Sequence, residues 1–210
     1  QQALADSPEA ALPATEPLLA DKPWHIRTWG DRGPPVQRDD PRNLWGFDMK
    51  LPEYADNRGE LHNLTIQYGT LTEEERFRIN EHIVQTICML DALPLPDRLA
   101  RVPRLAGTHH ERVDGKGYPF GLSGEDMSIP EKIMAVADIF EALTAVDRPY
   151  KQGKTLSEAL NIMDNMTRQG HIDRDVFLLF VRSGTYRRYG AQHLKAEQID
   201  TVDESLFMKP

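Results

Sequence analysis

The chain has 210 residues, of which 40% are hydrophobic, so it is long enough for one domain with a sizeable core. Its net charge of −8 argues against nonspecific binding to nucleic acid polymers, and no apolar run reaches the roughly 18 residues of a membrane span. The single cysteine, Cys88, excludes an internal disulfide and is typical of a reducing compartment. Because the chain begins with glutamine and shows no signal-peptide pattern, we expect a cytoplasmic piece of a longer protein, which is free to carry a membrane tether elsewhere.

Residues 1–68 are predicted to form an extended arm or the remnant of a larger domain. Prolines recur through residues 1–47, and neither the helical nor the strand period is sustained there. Four large aromatic residues in this polar strip are costly to leave in water, so we expect them to anchor the arm to the helical body or to a partner. They are Trp24, Trp29, Trp45 and Phe47.

Residues 69–210 are predicted to form a helical domain. Thr72 and Glu75 make a capping box, and the apolar spacing that follows predicts a helix ending at about Leu93. After two prolines, a second helix is predicted over about 96–110.

Three further helix starts follow from N-cap residues. Ser128 and Thr155 each precede a glutamate by three residues, and Asp173 precedes an apolar helical stripe that Gly184 ends. Short helices are expected near 186–193 and 196–203. The predicted fold is therefore all-α, a bundle of six or seven helices with a Pro-rich arm.

Candidate metal ligands and proton carriers concentrate around two adjacent histidines. His109 follows the apolar stripe of its predicted helix, and His110 lies about 100° further round. Glu111 stands beside them, and Asp114 comes three residues later. A pair of histidines that caps a helix C-terminus is the alternative interpretation. Earlier in the chain, His82 lies at the margin of an apolar helix face, where a histidine taken alone is more often a hydrogen-bonded core residue than a ligand.

A glycine-rich loop follows the two histidines. Gly115, Gly117 and Pro119 cannot continue a helix, so the segment predicts a tight turn, and Tyr118 is expected to pack over it. Glycines there would also let backbone N–H groups approach a phosphate closely.

A carboxylate and a basic turn complete the candidate residues. Asp138 interrupts an apolar run, so it must be paired or bound to metal if it is buried; pairing with Arg148 is one possibility. Arg148 and Lys151 bracket Pro149, either as a solvated basic turn or as phosphate contacts. His171 and His193 have no ligand partners nearby in sequence and are expected at the surface.

Three motifs in this order resemble the HD-GYP family, which are metal-dependent phosphodiesterases acting on cyclic di-GMP. They are His-His-Glu-x-x-Asp-Gly-x-Gly-Tyr-Pro at 109–119, Val-Ala-Asp-x-Phe-Glu-Ala-Leu-Thr at 136–144 and Asp-Arg-Pro-Tyr-Lys at 147–151. The resemblance extends from about Gly69 to about Asp203.

The resemblance implies a role for each candidate. It implies that four residues bind a divalent transition metal, iron or manganese: His82, His109, His110 and Asp138. The catalytic residues it implies are His109, His110, Glu111, Asp114 and Asp138. The residues it implies for binding cyclic di-GMP are Gly115, Gly117, Tyr118, Pro119, Arg148 and Lys151.

The family's defining His-Asp pair is missing from this chain. None of the seven histidines precedes an aspartate. The most similar pair is His62-Asn63, but an amide cannot bridge two cations as a carboxylate does, and we expect His62 to be an ordinary surface or loop histidine. Three interpretations stay open: an active phosphodiesterase completed by residues before Gln1, a degenerate domain that acts as a cyclic di-GMP receptor or docking module, and a structural remnant. The expected partners are cyclic di-GMP and diguanylate cyclase domains, with a homodimer as a further candidate.

Overall fold

The computed structural model describes residue 17 and residues 19–67, 69–146 and 153–208. Within these ranges the chain forms eight α-helices and two strands of two residues each, so the predicted all-α class is confirmed. Two compact units are present, one made of residues 1–33 with 52–77 and the other of 34–51 with 78–210. Residues from the predicted arm belong to both units, and a domain boundary at 68/69 stays a prediction.

The first unit contains the short sheet. Strand β1 (Ile26–Arg27) pairs antiparallel with β2 (Asp56–Asn57), and helix α1 (Glu60–Leu64) follows. Trp29 anchors the arm to the helical domain as expected, because its ring packs edge-on against Phe77 with 5.7 Å between centroids. Its indole N–H donates to the Pro52 carbonyl at 2.8 Å. Trp24 is 76% exposed, so for this residue the expected anchoring to a partner stays a prediction.

The single helix predicted to end near Leu93 is in fact two helices, α2 (Glu73–Asn80) and α3 (His82–Asp91). The predicted capping box is present: the Thr72 N–H donates to Glu75 Oε2 at 3.0 Å, and the Glu75 N–H donates back to Thr72 Oγ1 at 3.2 Å.

The break between α2 and α3 falls at Glu81. Nδ1 of His82 lies 2.5 Å from the carbonyl oxygen of Ile79. In a continuous helix that carbonyl would accept from the residue four positions later, so the imidazole competes with the helical hydrogen bond.

The predicted second helix is also shorter than expected. A 3-10 turn at Asp97–Leu99 precedes α4 (Val102–Gly107), because Pro103 lacks an N–H and its ring is tolerated only in the first helical turn. A Cβ added to Gly107 would come within 2.4 Å of the Ile87 side chain, so α3 and α4 are packed closely. The two adjacent histidines lie in the turn after α4 rather than inside a helix.

Four helices form the main core of the second unit. They are α5 (Ile129–Thr144), α6 (Leu156–Arg168), α7 (Arg174–Arg182) and α8 (Thr185–His193). The predicted caps at Ser128, Thr155 and Asp173 are all present. The buried core side chains come from these helices, from the α6–α7 connection and from the C-terminal segment: Val136, Phe140, Leu156, Ala159, Leu160, Met163, Ile172, Val176, Phe177, Val181, Tyr186 and Phe207.

The C-terminal segment contains two 3-10 turns, Ala196–Gln198 and Glu204–Leu206, where a short helix near 196–203 was predicted. Nowhere in the described ranges does a helix have both the length and the apolar character that crossing a bilayer requires.

Candidate metal centre and adjoining cleft

Three of the four predicted metal ligands meet in the second unit. His82 begins α3, and His109 and His110 lie in the turn after α4. Each offers one ligand nitrogen, and these atoms lie within 4.8 Å of one another. Imidazole nitrogens at about 2.1 Å from one tetrahedral cation would stand about 3–4 Å apart, so small side-chain movements would bring all three onto one ion.

Two of these rings have their hydrogen position set by the backbone. His109 Nδ1 lies 2.7 Å from the Ala106 carbonyl oxygen, and His82 Nδ1 makes the short contact to Ile79 already described. A carbonyl only accepts, so each Nδ1 carries the hydrogen and each Nε2 keeps its lone pair. Histidines that bind metals are commonly held in this way, and the three residues therefore fit a divalent transition metal.

The third ring, His110, is crowded by the other two. Its centroid lies 4.2 Å from that of His109 and 5.4 Å from that of His82. Burial, and then the neighbouring His109 and His82, lower the pKa of His110 to about 4, although Asp138 acts in the opposite direction. The ring is therefore neutral near neutral pH, as a metal ligand must be.

Asp138, on α5, lies next to this cluster. Its Oδ2 is 3.7 Å from Nδ1 of His110, which is longer than a hydrogen bond, and the group of three ligand atoms within 4.8 Å does not include it. A carboxylate at this place can either bind the cation or accept the His110 N–H and orient the ring. Its role as a ligand stays a prediction.

Glu111 fixes the loop that follows, residues 111–122, which we call the signature loop. Its side chain is 1% exposed, and its two oxygens accept the backbone N–H groups of Phe120 at 2.7 Å and Leu122 at 2.8 Å. Burial raises the pKa of Glu111, while these hydrogen bonds oppose the shift. The structure thus gives Glu111 a part in shaping the loop, and its predicted part in catalysis stays a prediction.

Asp114 is held by Arg112. The guanidinium donates from Nε to Oδ1 at 3.0 Å and from Nη2 to Oδ2 at 2.8 Å, and the Lys116 N–H donates to Oδ1 at 3.1 Å. The hydrogen bonds from Arg112 hold the pKa of Asp114 below its usual value. These contacts place Asp114 within the loop, and its catalytic role likewise stays a prediction.

Two glycines are required by the shape of the signature loop. Gly115 has a φ of +76°, and a Cβ added to Gly117 would lie 2.4 Å from both the Arg112 nitrogen and the Glu111 Cα. Gly117 therefore serves close packing of the loop on itself. The predicted approach of a phosphate to these glycines stays a prediction.

Tyr118 lies directly over the histidine cluster. Its ring stacks on His110 at 4.9 Å between centroids with 29° between the planes, and burial followed by the charge of Asp138 raises its pKa to about 12. One face of Tyr118 is thus covered by His110, so the predicted contact of this ring with cyclic di-GMP would have to use its other face or its edge. The Tyr118–Pro119 peptide bond is cis.

The signature loop is supported by part of the predicted arm. Phe47 is fully buried and stacks on Phe120 at 5.4 Å, and the Asp48 N–H donates to the Pro119 carbonyl at 2.7 Å. Trp45 stacks in turn on Phe47 at 5.8 Å. The expectation that these two aromatic residues anchor the arm to the helical body is confirmed.

A cleft of about 380 Å³ adjoins the histidines. Its lining residues are His109, His110, Arg112, Lys116, Gly117, Tyr118, Asp138, Ile139 and His171. The expectation that His171 is an ordinary surface residue is therefore wrong, whereas His193 is exposed as expected. Arg148 and Lys151 lie outside the described residues, as does any phosphate contact they make.

Three converging imidazoles, a glycine-rich loop and an adjoining cleft give this helical unit the arrangement of a candidate metal site. A family model described as HD domain matches residues 13–176, and the chain belongs to that family. The predicted HD-GYP resemblance agrees with this assignment.

Named relatives point the same way. The chain is 47% identical over 128 residues to the 3'3'-cGAMP-specific phosphodiesterase 1 of Vibrio cholerae, a match that covers 60% of this chain and 29% of the relative. It is 47% identical over 137 residues to a cyclic di-GMP phosphodiesterase of Pseudomonas aeruginosa, covering 65% and 32%. A cyclic di-GMP phosphodiesterase of Thermotoga maritima is 36% identical over 104 residues, covering 50% and 28%. The chain thus spans less than a third of the length of each relative.

Proposed function

We propose that this chain forms part of a metal-dependent phosphodiesterase that hydrolyses a cyclic dinucleotide, with cyclic di-GMP as the expected substrate. The observation that carries the proposal is the set of three imidazoles whose ligand nitrogens lie within 4.8 Å of one another next to a cleft. The similarity to proteins named for cyclic di-GMP and 3'3'-cGAMP supports the substrate class, and 3'3'-cGAMP is the alternative substrate.

The metal would be held by His82, His109 and His110, with Asp138 as a fourth ligand, and iron or manganese suits nitrogen and carboxylate donors. When bound, a divalent cation supplies Lewis-acid activation of the phosphate and of the attacking water. The Ala106 and Ile79 carbonyls fix the ring orientation of two of these histidines before any ion binds.

The substrate would lie in the cleft beside the cation. Tyr118 shapes the wall that faces the histidines, and Gly117 keeps that wall close to the loop backbone. Arg148 and Lys151 are proposed to bind substrate phosphates, since a guanidinium fork and an ammonium both suit that task.

A second candidate function is binding of the cyclic dinucleotide without turnover. It is favoured by the absence of any His-Asp pair from the 210 residues. Four candidate ligands remain, which is enough for one cation but supports a second cation poorly.

We further propose a cytoplasmic location, diguanylate cyclase domains as partners and a homodimer.

The test is metal analysis and turnover of the full-length protein, prepared with Mn²⁺ or Fe²⁺ and supplied with cyclic di-GMP or 3'3'-cGAMP. We expect hydrolysis products by chromatography, and His109→Ala should lower both the bound metal and the rate by more than about 100-fold because it removes a ligand. His193→Ala, an exposed histidine, is the matched control.

Equal metal content and equal rates for His109→Ala and wild type would overturn the assignment. Binding of the dinucleotide without products would favour the second candidate function. Two or more tightly held metals in the 210-residue chain would show that further ligands exist, with His62 the first to test.

A further inference from the structure

The connection between α6 and α7 is attached to the signature loop by its backbone. The Asp114 N–H donates to the Gly170 carbonyl at 2.9 Å, and the Val113 N–H donates to the His171 carbonyl at 3.2 Å. Gly170 has a φ of +68°, and a Cβ there would lie 3.2 Å from Cβ of Asp114, so the two segments approach closely. This pairing fixes the backbone of His171 next to the cleft that its side chain lines.

Arg112 lines the same cleft, and Asp114 holds one edge of its guanidinium group. Asp114 accepts from Nε and Nη2, and in the described part of the chain Nη1 makes no hydrogen bond. A guanidinium held by a carboxylate on one edge keeps its other donors in a fixed direction, an arrangement suited to a phosphate.

The local charge also favours an anion. Lys116 Nζ lies 3.8 Å from Asp114 Oδ2, so two cations share one carboxylate at this end of the cleft. The Lys116 side chain is 78% exposed, which places its ammonium at the rim. A locally positive region stands out in a chain whose net charge is −8.

The ring of His171 is polar and half-buried, yet within the residues that the structure describes it forms no hydrogen bond. Burial and then the neighbouring Arg112 lower its pKa, so the neutral ring offers one N–H donor and one acceptor. A purely structural histidine would be expected to use these atoms on the protein.

We propose that Arg112 and His171, with Lys116 at the rim, form a phosphate-binding subsite beside the metal centre. A cyclic dinucleotide contains two phosphodiester groups, and while one lies at the cation the other needs donors within the same cleft. This subsite binds that second phosphodiester, and the inference rests on the proposed function.

The test compares steady-state kinetics of metal-loaded full-length wild type, His171→Ala, Arg112→Lys and Lys116→Ala with cyclic di-GMP. Loss of a hydrogen bond to a charged phosphate should raise KM roughly tenfold for His171→Ala and for Arg112→Lys, and about threefold for Lys116→Ala. Bound metal should equal that of wild type in all three variants, and kcat should change by less than about threefold, because the contact is made equally in the ground and transition states.

Arg112→Lys keeps a positive charge next to Asp114 but loses the two-bond fork that also holds the loop. Urea unfolding of this variant is therefore measured alongside its KM, to separate a loss of loop stability from a loss of phosphate recognition. His193→Ala should leave KM unchanged, because that ring lies against Tyr189 rather than in the cleft. If wild type turns over the dinucleotide, and both His171→Ala and Arg112→Lys keep its KM, this subsite is wrong while the proposed function stands. If calorimetric titration of metal-loaded wild type with cyclic di-GMP and with 3'3'-cGAMP detects no binding, the proposed function and this inference both fail.

Discussion

The signature loop and the histidine cluster are neighbours that differ in how far their polar atoms are satisfied by the protein itself. In the loop, both oxygens of Glu111 and both oxygens of Asp114 accept hydrogen bonds from the chain itself. In the cluster, ring nitrogens of His82, His109 and His110 converge, and lone pairs that face one another can be shared only with a cation or a proton. The hydrogen bonds of the loop are thus complete without a ligand, whereas the cluster is where a bound cation would add stability.

The difference indicates that the loop sets the shape of the cleft and that the histidines offer the metal ligands. A loop held by its own hydrogen bonds keeps the shape of the cleft constant, so metal binding does not have to order it. Burial, followed by the neighbouring His109, lowers the pKa of His110 to about 4, so the ring stays neutral near neutral pH when no ion is bound.

The largest expected effect comes from breaking the loop at Glu111. Glu111→Ala leaves two buried backbone N–H groups without acceptors and opens a cavity, so we expect the free energy of unfolding to fall by about 3 kcal/mol. Glu111→Gln keeps one acceptor oxygen and should lose about half as much. Urea unfolding of the metal-free protein measures both.

Glu125→Ala provides the matched control for Glu111, because Glu125 is an exposed glutamate close by in the chain. It should change the free energy of unfolding by less than about 0.5 kcal/mol. An equally small change for Glu111→Ala would show that the loop does not depend on the carboxylate.

An intermediate effect is expected from Asp138, which sharpens the description of the cluster. If its carboxylate binds the cation, Asp138→Asn and Asp138→Ala should both weaken Mn²⁺ binding by about 10–100-fold, because the amide loses the anionic ligand. Calorimetric titration with Mn²⁺ measures this, with Asp175→Asn as the control on an exposed helix position.

Near-wild-type Mn²⁺ affinity for Asp138→Asn, together with weak binding for Asp138→Ala, would contradict ligation. That pattern would assign Asp138 to orienting His110, whose Nδ1 lies 3.7 Å from its Oδ2, because an amide oxygen can still accept the imidazole N–H.

The sequence predicted the elements that depend on local chemistry. The capping boxes at Thr72, Ser128 and Thr155 are present because each couples residues three positions apart. The meeting of His82 with the two later histidines was implied by the family resemblance and not by helical periodicity.

The predictions that failed depend on contacts between residues far apart in the sequence, or on side chains that compete for backbone hydrogen bonds. The break before His82 depends on where its imidazole finds a carbonyl, and the early end of α4 leaves His109 in a turn. His171 reaches the cleft through backbone pairing with residues 113–114, more than fifty positions earlier, which no periodicity encodes. Similarly, the sequence identified Phe47 as an anchor without indicating that Phe120 would be its partner.

The smallest expected effect concerns the Arg112–Asp114 pair of the signature loop, and it depends on pH. The pKa of Asp114 in the folded protein is lowered from 3.8, chiefly by its hydrogen bonds from Arg112, so the pair stabilises the fold while the carboxylate is ionised. That contribution is fully present above the unfolded pKa and is lost as the pH falls through the lower folded value. Asp114→Asn keeps an acceptor for the Lys116 N–H but removes the charge, so wild type should exceed the variant in unfolding free energy by at most about 1 kcal/mol near pH 7. The difference should shrink below pH 3.8 and disappear once Asp114 is protonated, as urea unfolding of both proteins between about pH 7 and about pH 2 would measure. A difference that stays constant over this range would mean that the carboxylate charge contributes nothing, and that the other contacts of the loop, such as those of Glu111, hold it instead.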